Sequence, residues 1–193
     1  MIMKVTKGNP GYIGKRKQKV VFKTLLLFGI VAALLVLGIM ETKSRLNLLT
    51  IIAVLGCLPA SKSLVELIML FPHHSMDLCI ADEIQGKTTG LTVAYDLILT
   101  SEKHIMPIDC VVISDNTICG YTSSRKTDTA FAAKHIKQYL FANQFSNVSV
   151  KIFDNYPSFL TRTEDMNNIS VAEKKDTKEK EIKIRQVILN ISL

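Results

Sequence analysis

The sequence predicts a membrane α-helical hairpin followed by a small α/β domain, an αβββαβ core plus C-terminal helices. Three observations carry that prediction. The 193 residues are 48% hydrophobic with a mean hydropathy of +0.24, high for a chain that lives wholly in water. Two apolar runs, Thr24–Met40 and Leu46–Ser61, lie close together in the first third of the chain. Beyond Pro72, stretches with strand periodicity are interleaved with stretches of helical periodicity.

The net charge of +7 belongs to one end. Residues 1–23 hold seven basic side chains (Lys4, Lys7, Lys15, Arg16, Lys17, Lys19 and Lys23) and no acid, and the remaining 17 basic and 17 acidic residues balance. A basic surface on the folded part is therefore not expected, and no nucleic acid is expected as a partner. Residues 1–19 read as a basic cytoplasmic N-terminus. The length excludes a large two-domain coenzyme enzyme, and four cysteines are too few for a disulfide scaffold.

Residues 20–71 read as a two-helix transmembrane hairpin, 20–40 and 46–71. The 17 uncharged residues from Thr24 to Met40 span roughly 26 Å as a helix, and Val20–Lys23 extend this to the ~30 Å of a hydrocarbon core. A second apolar run follows at once, which argues against a cleaved signal peptide. Glu41–Arg45 is too short for a domain, so the two helices run antiparallel. Seven positive charges before the first helix, against Lys43 and Arg45 after it, predict that both termini are cytoplasmic and that the protein sits in the plasma membrane. Lys62 and Glu66 are expected at the inner headgroup level as a membrane-interface pair one turn apart. Pro59 can kink the second helix, and the sequence leaves open whether Leu64–Phe71 stays in the membrane, lies along its surface or runs into the domain. By depth alone, Gly29 and Ala33 meet Ala53, Gly56 and Ala60 along the seam between the helices.

Residues 72–193 hold enough chain for one core. Met76–Ile84 reads as a short helix, Thr92–Thr100, His104–Ser114 and Thr117–Thr122 as three strands, Asp128–Phe145 as a helix, and Val148–Phe153 as a fourth strand. Pro157 opens a short helix to about Met166, and residues 171–192 form a charge-laced helical tail with Ile184, Val187, Ile188 and Ile191 on one face. That stripe is expected to pack on its own domain, because it is too short for a coiled coil.

The run PIDCVVISDNTICGYTS resembles the strand-turn-strand of nuclease-related domains with a restriction-endonuclease-like fold. The resemblance places Asp109 where those domains carry a metal-binding aspartate and Asp115-Asn116 in their turn. Thr122 and Ser124 stand where the second carboxylate and the lysine belong. Metal-assisted phosphodiester cleavage needs clustered oxygen ligands and a group to handle the attacking water. The resemblance thus implies a related fold with a degenerate site.

The runs GNPGYI, TKSRLNLLT, AVLGCLPASK and HIKQYL resemble a family of uncharacterised two-helix membrane proteins from anaerobic Gram-positive bacteria. Some of its members are automatically labelled O-linked GlcNAc transferase-like. A nucleotide-sugar enzyme uses a glycine-rich phosphate loop or a long helical repeat, and the 122 residues after Phe71 display neither motif.

Among smaller constellations, Cys79, Cys110 and Cys119 lack CxxC spacing and read as buried reduced thiols, and His73, His74, Asp77 and Cys79 are metal-ligand types, although adjacent histidines seldom point at one ion and at a membrane exit suit the headgroup zone. His135 lies in the apolar stripe of its helix without an identifiable nucleophile partner. Ser123, Ser124, Arg125, Lys126 and Thr127 precede a helix start and form an anion-site candidate. A capped, solvated helix start explains the same residues. No cofactor or metal is expected. The reading that follows is a membrane-anchored scaffold or interaction module. Its partners are the lipid bilayer and a protein or second copy, engaged through the C-terminal helix. The alternatives are an enzyme with a divergent nuclease-like or transferase-like site and a membrane-surface sensor of anionic lipid or nucleotide.

Overall fold

The computed structural model describes residues 6–42, 48–101, 104–173 and 177–193. The expected charges Lys43 and Arg45, the turn of the hairpin and residues 174–176 of the tail lie outside the described residues. The chain divides into two compact units, Ile13–His74 and the combination of Met1–Tyr12 with Ser75–Leu193.

The first unit is a contacting pair of long apolar helices, α1 (Tyr12–Thr42) and α2 (Leu48–Leu70), which form a hairpin of two candidate membrane-spanning segments. α1 begins at Tyr12, eight residues before the expected start at Val20. Lys, Arg and Gln are strong helix formers, so the basic segment continues the helix instead of trailing from it. α2 continues through Pro59 to Leu70 as one helix, so Leu64–Leu70 is helical and Pro59 does not end it.

Buried positions on each helix recur at spacings of three, four and seven: Val20, Thr24 and Val31 on α1, and Ala53, Ala60, Ser63 and Leu70 on α2. This is the repeat of a left-handed helix pair. Thr24 and Ser63 share a buried hydroxyl hydrogen bond of 2.9 Å, and a side chain on Gly56 would lie 3.1 Å from Val31. Ala53 and Ala60 lie in the seam as expected, whereas Gly29 and Ala33 face outward. Equal depth was an incomplete criterion. Five residues from Thr24 and two from Val31 are both rotations of more than 100° away from the seam. Of the expected Lys62–Glu66 pair, Glu66 has a partner on the other helix. Glu66 Oε1 accepts from Arg16 at 2.7 Å, while Lys62 is exposed.

The second unit is an α/β domain, and its elements follow the predicted order: α3 (Leu78–Lys87), β1 (Thr92–Thr100), β2 (Ile105–Ser114), β3 (Thr117–Tyr121), α4 (Thr129–Ala142), β4 (Ser149–Phe153), α5 (Tyr156–Glu173) and α6 (Lys178–Ile191). The mixed sheet runs β1-β2-β3-β4, antiparallel across the first three strands and parallel between β3 and β4. A parallel pair needs a crossover, and α4 supplies it. α5 extends past the expected end at Met166 to Glu173, because nothing in MNNISVAE breaks a helix.

One sheet face packs Leu97, Leu99, Ile108, Val111 and Ile113 against Ile136 and Leu140 of α4 and Ile184 and Ile188 of α6. The tail therefore packs on its own domain. The other face packs Tyr95, Cys110, Val112 and Cys119 against Ile84 of α3 and Phe159 of α5. On β1, Ala94 and Leu97 share a face although strict alternation would separate them, and on β2 the same holds for Ile108 and Val111. The phase changes at Asp96, which has φ +54°, opposite Asp109 in the register. Aspartate tolerates that left-handed backbone better than a branched residue would, and the buried Asp96 carboxylate accepts the Met76 amide at 2.9 Å.

The edge of β1 is covered by both ends of the chain. The Gly8 carbonyl accepts from the Tyr95 amide at 2.9 Å and from Arg185 at 3.3 Å, while the Leu193 amide donates to the Ile98 carbonyl at 2.8 Å. Lys7 Nζ donates to the Ser192 carbonyl. Gly8 has φ +87°, and a Cβ there would come within 2.7 Å of the Arg185 guanidinium, so only glycine fits without displacement. Thr6–Pro10, within the basic N-terminal segment, is thus a strap that belongs to the α/β domain.

Candidate functional site

Two regions of the domain bear on chemistry. The first surrounds Asp109. Because Cys110 pairs with Tyr121, the next step of the ladder brings Thr122 beside Asp109. Asp109 Oδ2 accepts from the Ser123 amide at 2.5 Å, Thr122 Oγ1 donates to the Pro107 carbonyl at 2.8 Å, and the Thr127 amide donates to the Ser124 carbonyl at 3.1 Å. The structure does gather Asp109, Thr122, Ser123, Ser124 and Thr127, as a hydrogen-bonded turn. Arg125 and Lys126 are exposed at its tip.

The start of α4 is capped by Asp128, whose Oδ1 accepts the Phe131 amide at 2.9 Å. Ser123 and Phe131 amides, the donors an anion would seek, already face the chain's own carboxylates. Among the described residues, no group of three or more His, Cys, Asp or Glu side chains is placed to hold a metal ion. The thiols divide. Burial pushes Cys110 and Cys119 above the ordinary thiol range, which keeps them protonated and unreactive, while Cys79 is exposed, contrary to its expected burial. Cys79 occupies the outer face of the first turn of α3, where Asp77 is spent on capping the helix through the Cys79 amide.

The second region is an open cleft of about 690 Å³ between the end of β1 and α4. Its walls are the rings of His104, Phe131, His135 and Tyr139, with Thr100, Ser101 and Gln138 contributing polar groups. α4 explains the arrangement. Ala132, Ile136 and Leu140 turn inward to the core, and Phe131, His135 and Tyr139, each one position earlier, form a row at four-residue spacing on the outer shoulder. The rings are in mutual contact: His104–Phe131 centroids lie 5.1 Å apart, Phe131–His135 6.3 Å and His135–Tyr139 4.9 Å.

His135 Nε2 is shielded from solvent without a hydrogen-bond partner. Burial lowers the affinity of this imidazole for a proton below the ordinary histidine range, against an opposing hydrogen bond to the Thr100 backbone. The His135 ring therefore favours its uncharged form within a ring-rich cleft. Sequence reading finds His135 within one apolar helical stripe and does not divide that stripe into two rows. The signal that separates the two rows is that the one of small and aliphatic residues, Ala132, Ile136 and Leu140, is the one that fits against a sheet.

No protein family matches the chain, and no match was found among curated proteins or solved structures. These comparisons accordingly lend no support to a nuclease-like fold.

Proposed function

We propose that this protein is a membrane-anchored interaction module, in which α1 and α2 span the plasma membrane and the α/β domain, on the cytoplasmic side, engages a protein partner. The observation that carries the reading is the ring-lined cleft. Phe131, Tyr139 and the neighbouring Ile105 are each about 40% exposed, and aromatic side chains grouped on an open surface are the usual anchors of a protein interface. The C-terminal helix is a poorer partner surface than the sequence suggests, because Ile184 and Ile188 are spent on the core.

The strap supports the sidedness. Thr6–Pro10 precedes the helix pair in the chain and completes the edge of the domain that follows it. Chain that enters and leaves a hairpin from one folded unit is on one side of whatever the hairpin crosses. The charge bias of residues 1–23 makes that side the cytoplasm. The resemblance to a two-helix membrane family accords with this anchor.

Photo-crosslinking in native membranes tests the partner surface. With a photoreactive phenylalanine at position 139 of the full chain, a discrete adduct of higher mass is expected, and Phe131→Ala should reduce it at least severalfold. The same probe at the exposed Ile182 on α6 should give none. Equal adducts from both positions, or no adduct from position 139, would contradict the assignment of the cleft.

A further inference from the structure

We propose that the basic end of the helix pair is a binding site for an anionic phospholipid, an inference that rests on reading α1 and α2 as a membrane anchor. α1 is 31 residues long, about 46 Å, whereas its uncharged stretch from Thr24 onward covers only about 26 Å before Met40. Tyr12–Lys23 therefore carries the helix through the headgroup layer, and this segment holds five cations and no acid.

Two of the five are used inside the helix pair. Arg16 is paired with Glu66, and Lys17 donates to the Phe71 carbonyl at 2.7 Å with its ammonium 5.1 Å from the Phe71 ring centroid. The other three, Lys15, Lys19 and Lys23, recur every four residues, so they form one stripe along α1. All three are exposed, and none makes an ion pair among the described residues. A charge arrangement that consumes the cations facing α2 and leaves a row of three facing outward calls for anions from outside the chain.

Beside the stripe is a groove of about 350 Å³ lined by Lys17, Gln18, Val21, Phe22 and Leu25. It is graded along the helix, polar at Lys17 and Gln18 and apolar at Phe22 and Leu25, which are 69% and 70% exposed. A phospholipid has the same grading, phosphate above and acyl chain below. The lysine stripe selects a lipid with net negative charge over a zwitterionic one, and the groove provides a bed for the first acyl carbons. Juxtamembrane cations of this kind each raise affinity for anionic lipid about fivefold.

The test is native mass spectrometry of the full chain in nonionic detergent, titrated separately with phosphatidylglycerol and phosphatidylcholine. The wild type is expected to retain phosphatidylglycerol selectively, with a preference that falls as salt rises. The triple variant Lys15→Gln/Lys19→Gln/Lys23→Gln should lose ~100-fold in phosphatidylglycerol affinity with phosphatidylcholine unaffected. Removing equal charge from the domain, by Lys126→Gln/Lys134→Gln/Lys137→Gln, should change neither. Equal retention of the two lipids by the wild type, or an undiminished salt-sensitive preference in the triple variant, would overturn the site. Alkaline carbonate extraction of the wild type from liposomes separates the two levels of the argument. A chain released by carbonate contradicts the anchor itself, and a retained chain without lipid preference contradicts the lipid site alone.

Discussion

Ile188→Asp is expected to unfold the α/β domain while leaving the helix pair intact. Ile188 is fully buried on α6, in the cluster that joins α6 and α4 to the sheet. The substitution removes an isoleucine side chain from a close-packed site, a loss of about 2–5 kcal/mol, and adds a carboxyl group without a partner there. The sum rivals the whole stability of an ordinary domain, about 5–15 kcal/mol. Limited proteolysis of the full chain in detergent measures it. The domain should become protease-sensitive at a temperature where the wild type resists, with the α1–α2 fragment recovered. A well-folded variant that changes from dimer to monomer would instead make α6 an oligomerisation element.

Glu181→Ala is expected to cost the domain about 3 kcal/mol, with Glu181→Gln recovering part of the loss. Glu181 is 1% exposed, an unusual position for a carboxylate, and every neighbour explains it. Its Oε2 accepts from Thr92 Oγ1 at 2.7 Å and lies 3.6 Å from the Lys178 ammonium. Its Oε1 accepts from the Asp115 amide at 3.1 Å and from Thr177 Oγ1 at 2.9 Å. One side chain thus ties the start of β1, the β2–β3 turn and the start of α6. Alanine leaves an amide and two hydroxyls in a poorly solvated place, and hydrogen bonds to a charged group are worth about 1.5–3 kcal/mol each. The urea midpoint of the domain should fall with an unchanged slope. A shift within about 0.5 kcal/mol would show that water replaces the carboxylate.

These two residues show where the sequence was legible. Ile188 belongs to a stripe with helical spacing, and periodicity identified it, its face and its packing partner in kind. Glu181 sits among Lys178, Glu179, Lys180 and Lys183, and pattern reading distinguishes it from none of the other charges of that charge-laced helix. What distinguishes it is its closeness to Thr92 and Asp115, 89 and 66 positions away, which no local pattern encodes. The order of strands and helices followed from alternation and caps, and the phase change at Asp96 was visible only as an aspartate interrupting an apolar strand. The strap was missed because seven cations dominated the reading of residues 1–23, although the Gly8-Asn9-Pro10-Gly11 turn lies among them. At the cleft, the residues were legible and their direction was not. Phe131, His135 and Tyr139 are one position from Ala132, Ile136 and Leu140, and only the docked sheet decides which row is inside.

The central claim is that both chain ends and the α/β domain lie on the cytoplasmic side of a membrane crossed twice. Sidedness of reporters fused to the full chain, a green fluorescent protein that matures inside the cell and an alkaline phosphatase that is active outside it, placed in turn at Met1 and at Leu193, measures this most directly. The strap and the charge bias together require fluorescence without phosphatase activity at both positions. Ends on opposite sides would contradict the strap, and phosphatase activity at both would contradict the orientation drawn from the basic N-terminus.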